Sequence, residues 1–284
     1  MPASNPSRGS PANMGSNLHR LGCRVALAAS VGQDDMGTML FQYVQQLGMD
    51  TQLVHRHPMP STLILVTKSK AVSNFEPYRL ADVQITPEQL PEAILQNVRI
   101  FHTTCFALSR EPARSSILAA ADKVADAGGD ISIDVNYASK IWPDQREAQQ
   151  IVWDWCSKGA LVKCSEVDWE RLYGFPLNDP MEAADFFHGQ GASIVCITLG
   201  DKGCYVSNMR ERHTVPARPV VVRDTTGAGD AFWSGFLCAY LDGHELLHCA
   251  YAGRKMAEEK LQRLGPLPPS VSKNLIYGDF IHKS

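Results

Sequence analysis

The chain has 284 residues, which is enough for one large α/β domain or two smaller ones. Hydrophobic residues make up 44% of it and charged residues 20%, the balance of a globular protein with a substantial core. With a net charge of -3 and no basic block, the sequence does not indicate nucleic acid or a membrane as a partner. No run approaches the roughly 20 apolar residues that span a bilayer.

The eight cysteines are scattered and form no C-x-x-C pair. Several lie in apolar runs, among them Cys196 and Cys238, so we expect buried, reduced thiols, as in a cytoplasmic protein. A zinc site would need ligands at closer spacing. The polar N-terminal stretch lacks the apolar segment of a signal peptide.

Short β-rich runs alternate with longer helical patterns along most of the chain. The predicted strands, in chain order, are residues 24–30, 99–103, 130–135, 160–164 and 193–199. The predicted helices between them are residues 36–47, 111–127, 145–157 and 181–190. The strands are nearly continuous apolar runs, as a sheet covered on both faces requires. The alternation therefore predicts an α/β fold with a doubly wound, mostly parallel sheet flanked by helices.

One stretch departs from this alternation. Residues 62–67 and 75–78 are typical of two strands with no helix between them. Such a pair either projects from the sheet as a flap or forms an ordinary edge hairpin, and the pattern does not distinguish the two. No repeat, low-complexity segment or interdomain linker appears, so we expect one domain over residues 1–284.

The strongest chemical signal is a glycine-rich turn between a strand and a helix. An apolar strand leads into Asp224-Thr-Thr-Gly-Ala-Gly-Asp230, and a helix with an apolar face follows. Gly227, Ala228 and Gly229 leave backbone N–H groups bare at the helix N-terminus, which forms an anion hole for phosphate. Asp230 lies in the first turn of the helix, where its carboxylate is held beside that anion.

These features predict phosphoryl transfer, which needs a positioned hydroxyl, a base that takes its proton, and fixed positive dipoles around the moving charge. Asp230 is the predicted base, and the alternative is that it only caps the helix. No G-x-x-x-x-G-K-[ST] motif exists, which excludes a Walker-type NTPase. Phe232 occupies the place of the third glycine in a dinucleotide-binding fingerprint, so a dehydrogenase is disfavoured.

The run from Asp224 to Phe232 resembles the C-terminal signature of the ribokinase-like (pfkB) carbohydrate kinases, D-T-x-G-A-G-D-x-F. Gly9-Ser-Pro-Ala-Asn13 resembles the family's N-terminal signature, G-G-x-P-x-N. Arg8 replaces the first glycine, and Gly15 stands where Ser, Thr or Ala is usual. The resemblance implies a central sheet with helices on both faces and a small β lid over the sugar, to which the two helix-less strands would belong.

The same resemblance implies residues that bind the sugar and the metal. Gly9, Asn13 and Arg79 would hold the sugar, and the run around Arg79 is similar to that of fructokinase-like members. Glu166 and Asp168 would hold Mg²⁺ through water, since carboxylates suit this ion. The residues alone equally allow an N-capped helix with acids in its first turn.

Further positions match the part of the family pattern that binds the nucleotide and a monovalent cation. The residues that would face ATP are Asn136, Lys163, Ser165, Thr198, Gly200 and Gly203. Ala138 stands where the family often has an arginine near the phosphates. Backbone oxygens around Asp224 and Thr226, with the Gly265 loop, would bind a cation such as K⁺.

The predicted function is ATP-dependent phosphorylation of a primary hydroxyl of a monosaccharide, with a fructose-like hexose or a keto-sugar acid as the substrate. The N–H groups of Ala228 and Gly229 would stabilise the developing charge. Two alternatives stay open. One is a nucleoside kinase of the same family, with Phe75 and Tyr78 as its stacking surface, and the other is a catalytically silent sugar- or nucleotide-binding protein. Lid-to-lid homodimers are common in this family.

Members of this family open with an apolar strand that carries a sugar-binding aspartate, followed by lid strands. In this sequence the turn that begins at Gly9 lies nine residues from Met1, and no apolar run precedes it. The resemblance therefore predicts an N-terminal strand and part of the lid upstream, roughly 20–35 residues in all.

Overall fold

The computed structural model describes residues 9–68 and 73–281. Its strands are β1 Ala29–Gly32, β2 Val54–His57, β3 Leu63–Lys68, β4 Ser73–Tyr78, β5 Ile100–Thr104, β6 Asp130–Asp134, β7 Leu161–Ser165, β8 Ile194–Thr198, β9 Cys204–Asn208 and β10 Arg212–Val215. Its α-helices are α1 Ser10–Arg20, α2 Asp35–Gln46, α3 Glu92–Leu95, α4 Ala113–Asp126, α5 Gln145–Cys156, α6 Glu166–Tyr173, α7 Pro180–Gly189, α8 Ala228–Leu241, α9 Leu246–Leu261 and α10 Lys273–Ile281.

The described chain divides into two compact units, each built from separate stretches of sequence. The first unit comprises residues 9–25, 162–166 and 177–281. The second unit comprises residues 26–161 and 167–176. The Asp224–Asp230 turn and the Gly9–Asn13 segment therefore belong to the same unit, although they are far apart in sequence.

The first unit has a sheet in which the strand order is β10-β9-β8-β7. Strands β8, β9 and β10 pair antiparallel, so this part of the sheet departs from the parallel arrangement that the sequence predicts. Helix α8 packs against both α1 and α9. Its residues from Ala231 to Ala239 are all buried, so the helix lies inside the unit instead of presenting one apolar face to a sheet.

The second unit contains three strand pairs. Strands β5 and β6 pair parallel, as do β1 and β2, whereas β3 and β4 form an antiparallel hairpin. Helix α4 packs on β5 and β6 with an apolar side that includes Ile117 and Val124. The Asp34 carboxylate caps α2 by accepting the N–H of Gly37 at 2.7 Å.

Four of the five predicted buried strands and all four predicted helices are confirmed to within a few residues. The prediction of a strand over 24–30 is wrong for residues 24–28, where Ala26 makes only an isolated bridge to Asp50, and β1 starts at Ala29. All eight cysteines are free and seven are buried, as expected. Among the described helices, none has the length and apolarity needed to cross a bilayer.

Candidate active site

Asp230 lies in the first turn of α8, where an open turn becomes a helix. Gly227 precedes the helix with a φ of 77°, a left-handed conformation that costs glycine little. The N–H of Ala228 donates to the carbonyl of Thr225 at 3.2 Å and closes the turn. The N–H groups of Gly229 and Asp230 have no acceptor within the described residues, so they are the donors that an anion would meet.

The Asp230 carboxylate is held by two side chains from the first turn of α1. The hydroxyl of Ser10 donates to Oδ1 at 2.5 Å, and the amide Nδ2 of Asn13 donates to Oδ2 at 2.8 Å. A carboxylate oxygen can accept two hydrogen bonds, so both oxygens keep an acceptor position for a substrate hydroxyl. Gly9, the residue before α1, accepts the backbone N–H of Asn13 at 3.2 Å and so anchors this first turn.

A positive charge lies against the same helix terminus. Lys163, on β7, is 4% exposed, and a Cβ placed on Gly229 would lie 3.2 Å from its Nζ. The ammonium therefore lies next to the backbone that presents the anion-binding N–H groups. Ammonium charge and helix dipole together favour an anion such as phosphate at this point.

Lys260 contacts the turn that precedes α8. The Asp224 carboxylate accepts the N–H of Thr226 at 3.1 Å, and its Oδ2 lies 3.3 Å from the Lys260 Nζ. Burial alone would raise the pKa of Asp224, but these hydrogen bonds and the lysine charge outweigh it and lower the pKa below its ordinary value. The backbone N–H of Asp224 also donates to the Leu261 carbonyl, at 3.3 Å.

The predicted nucleotide residues of the first unit gather around one glycine turn. Strand β8 ends at Thr198, and Gly200 follows with a φ of 60°. A Cβ on Gly200 would lie 3.7 Å from Oε1 of Glu166, which directly follows Ser165 at the end of β7. A Cβ on Gly203 would lie 2.0 Å from a backbone oxygen, so this position requires glycine. The structure therefore brings the predicted metal ligand Glu166 to the predicted nucleotide turn.

The second unit contains the remaining predicted residues. Asn136 follows β6 with a φ of 29°, the one positive φ of a non-glycine residue in the described chain. Such backbone strain concentrates at functional sites. Lys140 pairs with Glu76 on β4, with 2.5 Å between Nζ and Oε2, so its ammonium contacts the β3–β4 hairpin. Asp168 is a buried residue of α6.

Arg79, the predicted sugar contact, is 7% exposed and belongs to the second unit. Its Nε donates to Asp82 at 2.5 Å, its Nη1 donates to the Ser109 hydroxyl at 2.8 Å, and its guanidinium lies 4.1 Å from the centre of the Phe106 ring. Burial lowers the pKa of Arg79, and the Asp82 charge opposes this effect. Its Nη2 is buried and has no hydrogen-bond partner among the described residues, so one donor of the guanidinium is left unsatisfied.

Sequence reasoning missed two residues of this site, Ser10 and Lys260. Ser10 occupies a variable position of the N-terminal signature, and Lys260 lies 36 residues beyond Asp224 in the chain. Neither position carries a local pattern that predicts its partner. A buried ammonium, a carboxylate and two N–H groups that have no acceptor among the described residues therefore lie together, and these are the kinds of group that phosphoryl transfer needs.

Residues 8–273 match the sequence pattern of the pfkB family carbohydrate kinases, and the chain belongs to this family. It is therefore an enzyme of the carbohydrate kinase class. It is 32% identical to the ATP-dependent 6-phosphofructokinase of Thermoanaerobacterium thermosaccharolyticum over 259 aligned residues. This aligned region covers 91% of this chain and 80% of that protein. It is 31% identical to probable fructokinase-4 of Arabidopsis thaliana over 243 aligned residues, and this region covers 84% of this chain and 74% of that protein.

Solved structures are similar over nearly the whole chain. Fructokinase from Vibrio cholerae, in its fructose, ADP and calcium ion bound form, gives a TM-score of 0.84 at 26% identity and covers 95% of this chain and 90% of its own. Aminoimidazole riboside kinase from Salmonella enterica, complexed with aminoimidazole riboside and an ATP analog, gives 0.82 at 25% identity, with coverage of 95% and 90%. The expected ribokinase-like α/β fold is thereby confirmed.

Proposed function

We propose that this kinase transfers the γ-phosphoryl group of ATP to the primary hydroxyl of a fructose-like hexose, with residues 1–284 acting as one kinase domain. The observation that carries the proposal is the Asp230 carboxylate, which Ser10 and Asn13 hold beside the N–H group of Gly229. The names of the similar proteins support the sugar, since both a relative and a solved structure are fructokinases.

Asp230 takes the proton of the sugar hydroxyl while the hydroxyl oxygen forms a bond to the γ-phosphorus. The bond between that phosphorus and the bridging oxygen breaks, and ADP leaves. The N–H of Gly229 and the Lys163 ammonium stabilise the charge that develops on the phosphoryl oxygens. Gly227 supplies the left-handed turn. The N–H of Ala228, also expected to take part, would first have to leave the Thr225 carbonyl.

The proposed nucleotide contacts are Asn136, Lys163, Ser165, Thr198, Gly200 and Gly203. Mg²⁺ supplies charge neutralisation on the phosphates when it is bound, and Glu166 and Asp168 would hold it through water. No group of three His, Cys, Asp or Glu side chains with metal-binding geometry occurs in the described part of the chain. A magnesium ion that keeps its waters and bridges phosphates needs only one or two carboxylates, so the residues fit this ion.

The proposed sugar contacts are Gly9, Asn13 and the Nη2 edge of Arg79. A nucleoside substrate would instead need a stacking surface in the lid. Tyr78 is 53% exposed and suits that role, whereas the Phe75 side chain lies outside the described residues. Fructose 6-phosphate is a second candidate substrate, because the relative at 32% identity is a 6-phosphofructokinase.

A substrate screen tests the proposal. ADP release would be measured with ATP and Mg²⁺ against fructose, fructose 6-phosphate, a keto-sugar acid and a purine nucleoside, with Asp230→Asn as the inactive control. We expect kcat/KM for fructose to exceed that for each other acceptor by roughly tenfold or more, about 1.4 kcal/mol of discrimination. A preference for fructose 6-phosphate or the nucleoside would replace the proposed substrate. Absence of ADP release with all four would favour a silent binding protein.

The proposal also includes a homodimer formed through the lid and a cytoplasmic location. Strand β3 of the lid presents exposed apolar side chains, with Leu63 at 44% and Leu65 at 48% exposure. Exposed apolar residues in a row are typical of interaction surfaces. The eight free thiols support a reducing compartment.

A further inference from the structure

Lys260 carries a buried charge that the proposed reaction does not use. It lies in the last turn of α9, is 7% exposed, and extends beneath the turn that leads into α8. Its Nζ is 3.3 Å from Oδ2 of Asp224 and 3.4 Å from the carbonyl oxygen of Arg263. A Cβ placed on Gly227 would lie 3.8 Å from its Cε, so the lysine stem also contacts the turn itself.

An ammonium in this position needs partners, because a buried charge is costly unless it is paired and hydrogen-bonded. Lys260 has a carboxylate and a carbonyl as partners, and it lies at the C-terminal end of a helix, where the dipole favours a cation. The side chain therefore links the C-terminus of α9 to the turn before α8. The partners, Asp224 and Arg263, lie 36 residues before it and 3 residues after it.

The contacts continue from Lys260 to the catalytic residue. Asp224, which pairs with Lys260, also accepts the N–H of Thr226, and Thr226 is followed by Gly227, the residue that starts α8. The orientation of the Gly229 N–H group and of Asp230 depends on where this helix starts. A change in the charge beneath Asp224 would therefore move both the anion donors and the base.

A monovalent cation was expected around Asp224 and Thr226, with the Gly265 loop. The oxygens that such an ion would need include the Asp224 carboxylate and loop carbonyls, and the Lys260 ammonium already contacts one of each. An ammonium group and K⁺ carry the same charge and bind oxygen at similar distances. The described residues therefore do not fit K⁺ at this place, since the ion and the lysine head group would compete for it.

We propose that the Lys260 ammonium takes the place of a monovalent cation in this kinase. It fixes the turn from Asp224 to Gly227 and so positions the N-terminus of α8 and Asp230. Lys260 is a positioning residue, and the enzyme needs no added K⁺ for turnover. The turnover part of this inference rests on the proposed function, whereas its structural part does not.

The test compares the wild type, Lys260→Met and the control Lys255→Met. Lys255 lies on the same helix and pairs with the half-buried Glu259, away from the Asp224 turn. Ionic strength is held constant with tetramethylammonium chloride, and K⁺, NH₄⁺ or Na⁺ replaces part of it.

We expect K⁺ to change wild-type turnover less than about twofold. Lys260→Met should lose roughly 10- to 100-fold of turnover, the cost of a small displacement of catalytic groups, and K⁺ or NH₄⁺ should restore at least a tenfold gain. Lys255→Met should behave as the wild type.

A second readout does not require turnover. The melting temperature without substrates should be the same in K⁺ and in tetramethylammonium for the wild type, whereas K⁺ should raise it for Lys260→Met. If no sugar is phosphorylated, the proposed function fails, and this measurement still decides the role of Lys260. If Lys260→Met does not fold, the wild-type comparison still tests the inference, since a specific response of the wild type to K⁺ would overturn it.

Three results would overturn the inference. The first is a wild type that K⁺ activates or stabilises specifically, because a working cation site would then exist beside Lys260. The second is a Lys260→Met variant with unchanged turnover in tetramethylammonium. The third is a loss of turnover that neither K⁺ nor NH₄⁺ restores, which is the pattern of a purely structural lysine.

Discussion

At the scale of single residues, the proposed reaction depends on how the Asp230 carboxylate is held. The hydroxyl of Ser10 and the amide of Asn13 fix its orientation from α1, while its own helix presents the anion donors. The proposed base and the proposed phosphate site therefore lie on one turn of α8, and a second element, α1, orients the carboxylate. This arrangement limits the freedom of the carboxylate without using up its acceptor positions.

Asp230→Asn tests the base. The amide keeps the shape of the side chain but takes no proton at neutral pH, so turnover should fall by roughly two to four orders of magnitude. ATP affinity, measured by calorimetry, should change little because Gly229 and Lys163 remain. Near-normal turnover of the variant with its sugar would show that another group accepts the proton.

The sequence predicted those site residues that lie together in one short segment of the chain. The glycines of the Asp224–Asp230 run and Asp230 itself belong to one turn, so sequence alone placed them together. Ser10 and Lys260 contact this turn from distant parts of the chain, and the spacing between partners far apart in sequence carries no signal. Asn13 was predicted as a sugar contact, and its bond to Asp230 became visible only in the structure.

At the scale of elements, two glycines of α8 have different roles. A Cβ on Gly229 would meet the flexible end of Lys163, whereas a Cβ on Gly235 would lie 2.6 Å from the backbone oxygen of Ala252 on α9. Gly229→Val should therefore abolish most turnover while the far-UV spectrum and melting temperature stay near those of the wild type. Gly235→Val should overpack the helix pair and lower the melting temperature by several degrees or more.

The two variants are each other's controls, because both place the same side chain on the same helix. Unfolding of Gly229→Val would mean that this glycine is needed for structure alone. A folded Gly235→Val with a wild-type melting temperature would contradict the close packing of α8 on α9.

Helix α10 is attached to the end of α8 by a charged group. Asp242 accepts hydrogen bonds from Lys273 and from the Tyr277 hydroxyl, both at 2.8 Å. Burial would raise the pKa of Asp242, but these hydrogen bonds and the lysine charge lower it below its ordinary value. A depressed folded-state pKa stabilises the protein above the unfolded pKa, about 4, and this stabilisation is lost as the pH falls through the folded value.

Asp242→Asn should therefore melt below the wild type at pH 7, and the difference should shrink as the pH falls below about 4. Thermal melts of both proteins across this range measure the effect. A difference that stays constant with pH would show that the charge of Asp242 does not contribute and that only its shape matters.

For the whole molecule, sequence periodicity predicted the alternating strands and helices but not all of their pairing. Parallel pairs such as β5 and β6 follow from buried apolar runs. The antiparallel strands β9 and β10 have four or five residues each and alternate poorly, so the local pattern did not predict them. Helix α1 begins with polar residues around Pro11, which are equally typical of a turn, and its burial against α8 is what stabilises it as a helix.

Ligand binding should stabilise the whole protein in a way that reports on the phosphate site. A ligand at 100 times its Kd that binds only the folded state adds about 2.7 kcal/mol to the free energy of unfolding, enough to raise the melting temperature by a few degrees. Mg²⁺ and ADP at such a concentration should produce this rise in the wild type.

Lys163→Met removes the buried ammonium beside Gly229, so at the same ADP concentration most of the rise should disappear. Asp230→Asn serves as the control and should keep the full rise, since it leaves the anion donors and Lys163 in place. A full rise in Lys163→Met would show that the nucleotide phosphates do not reach the N-terminus of α8.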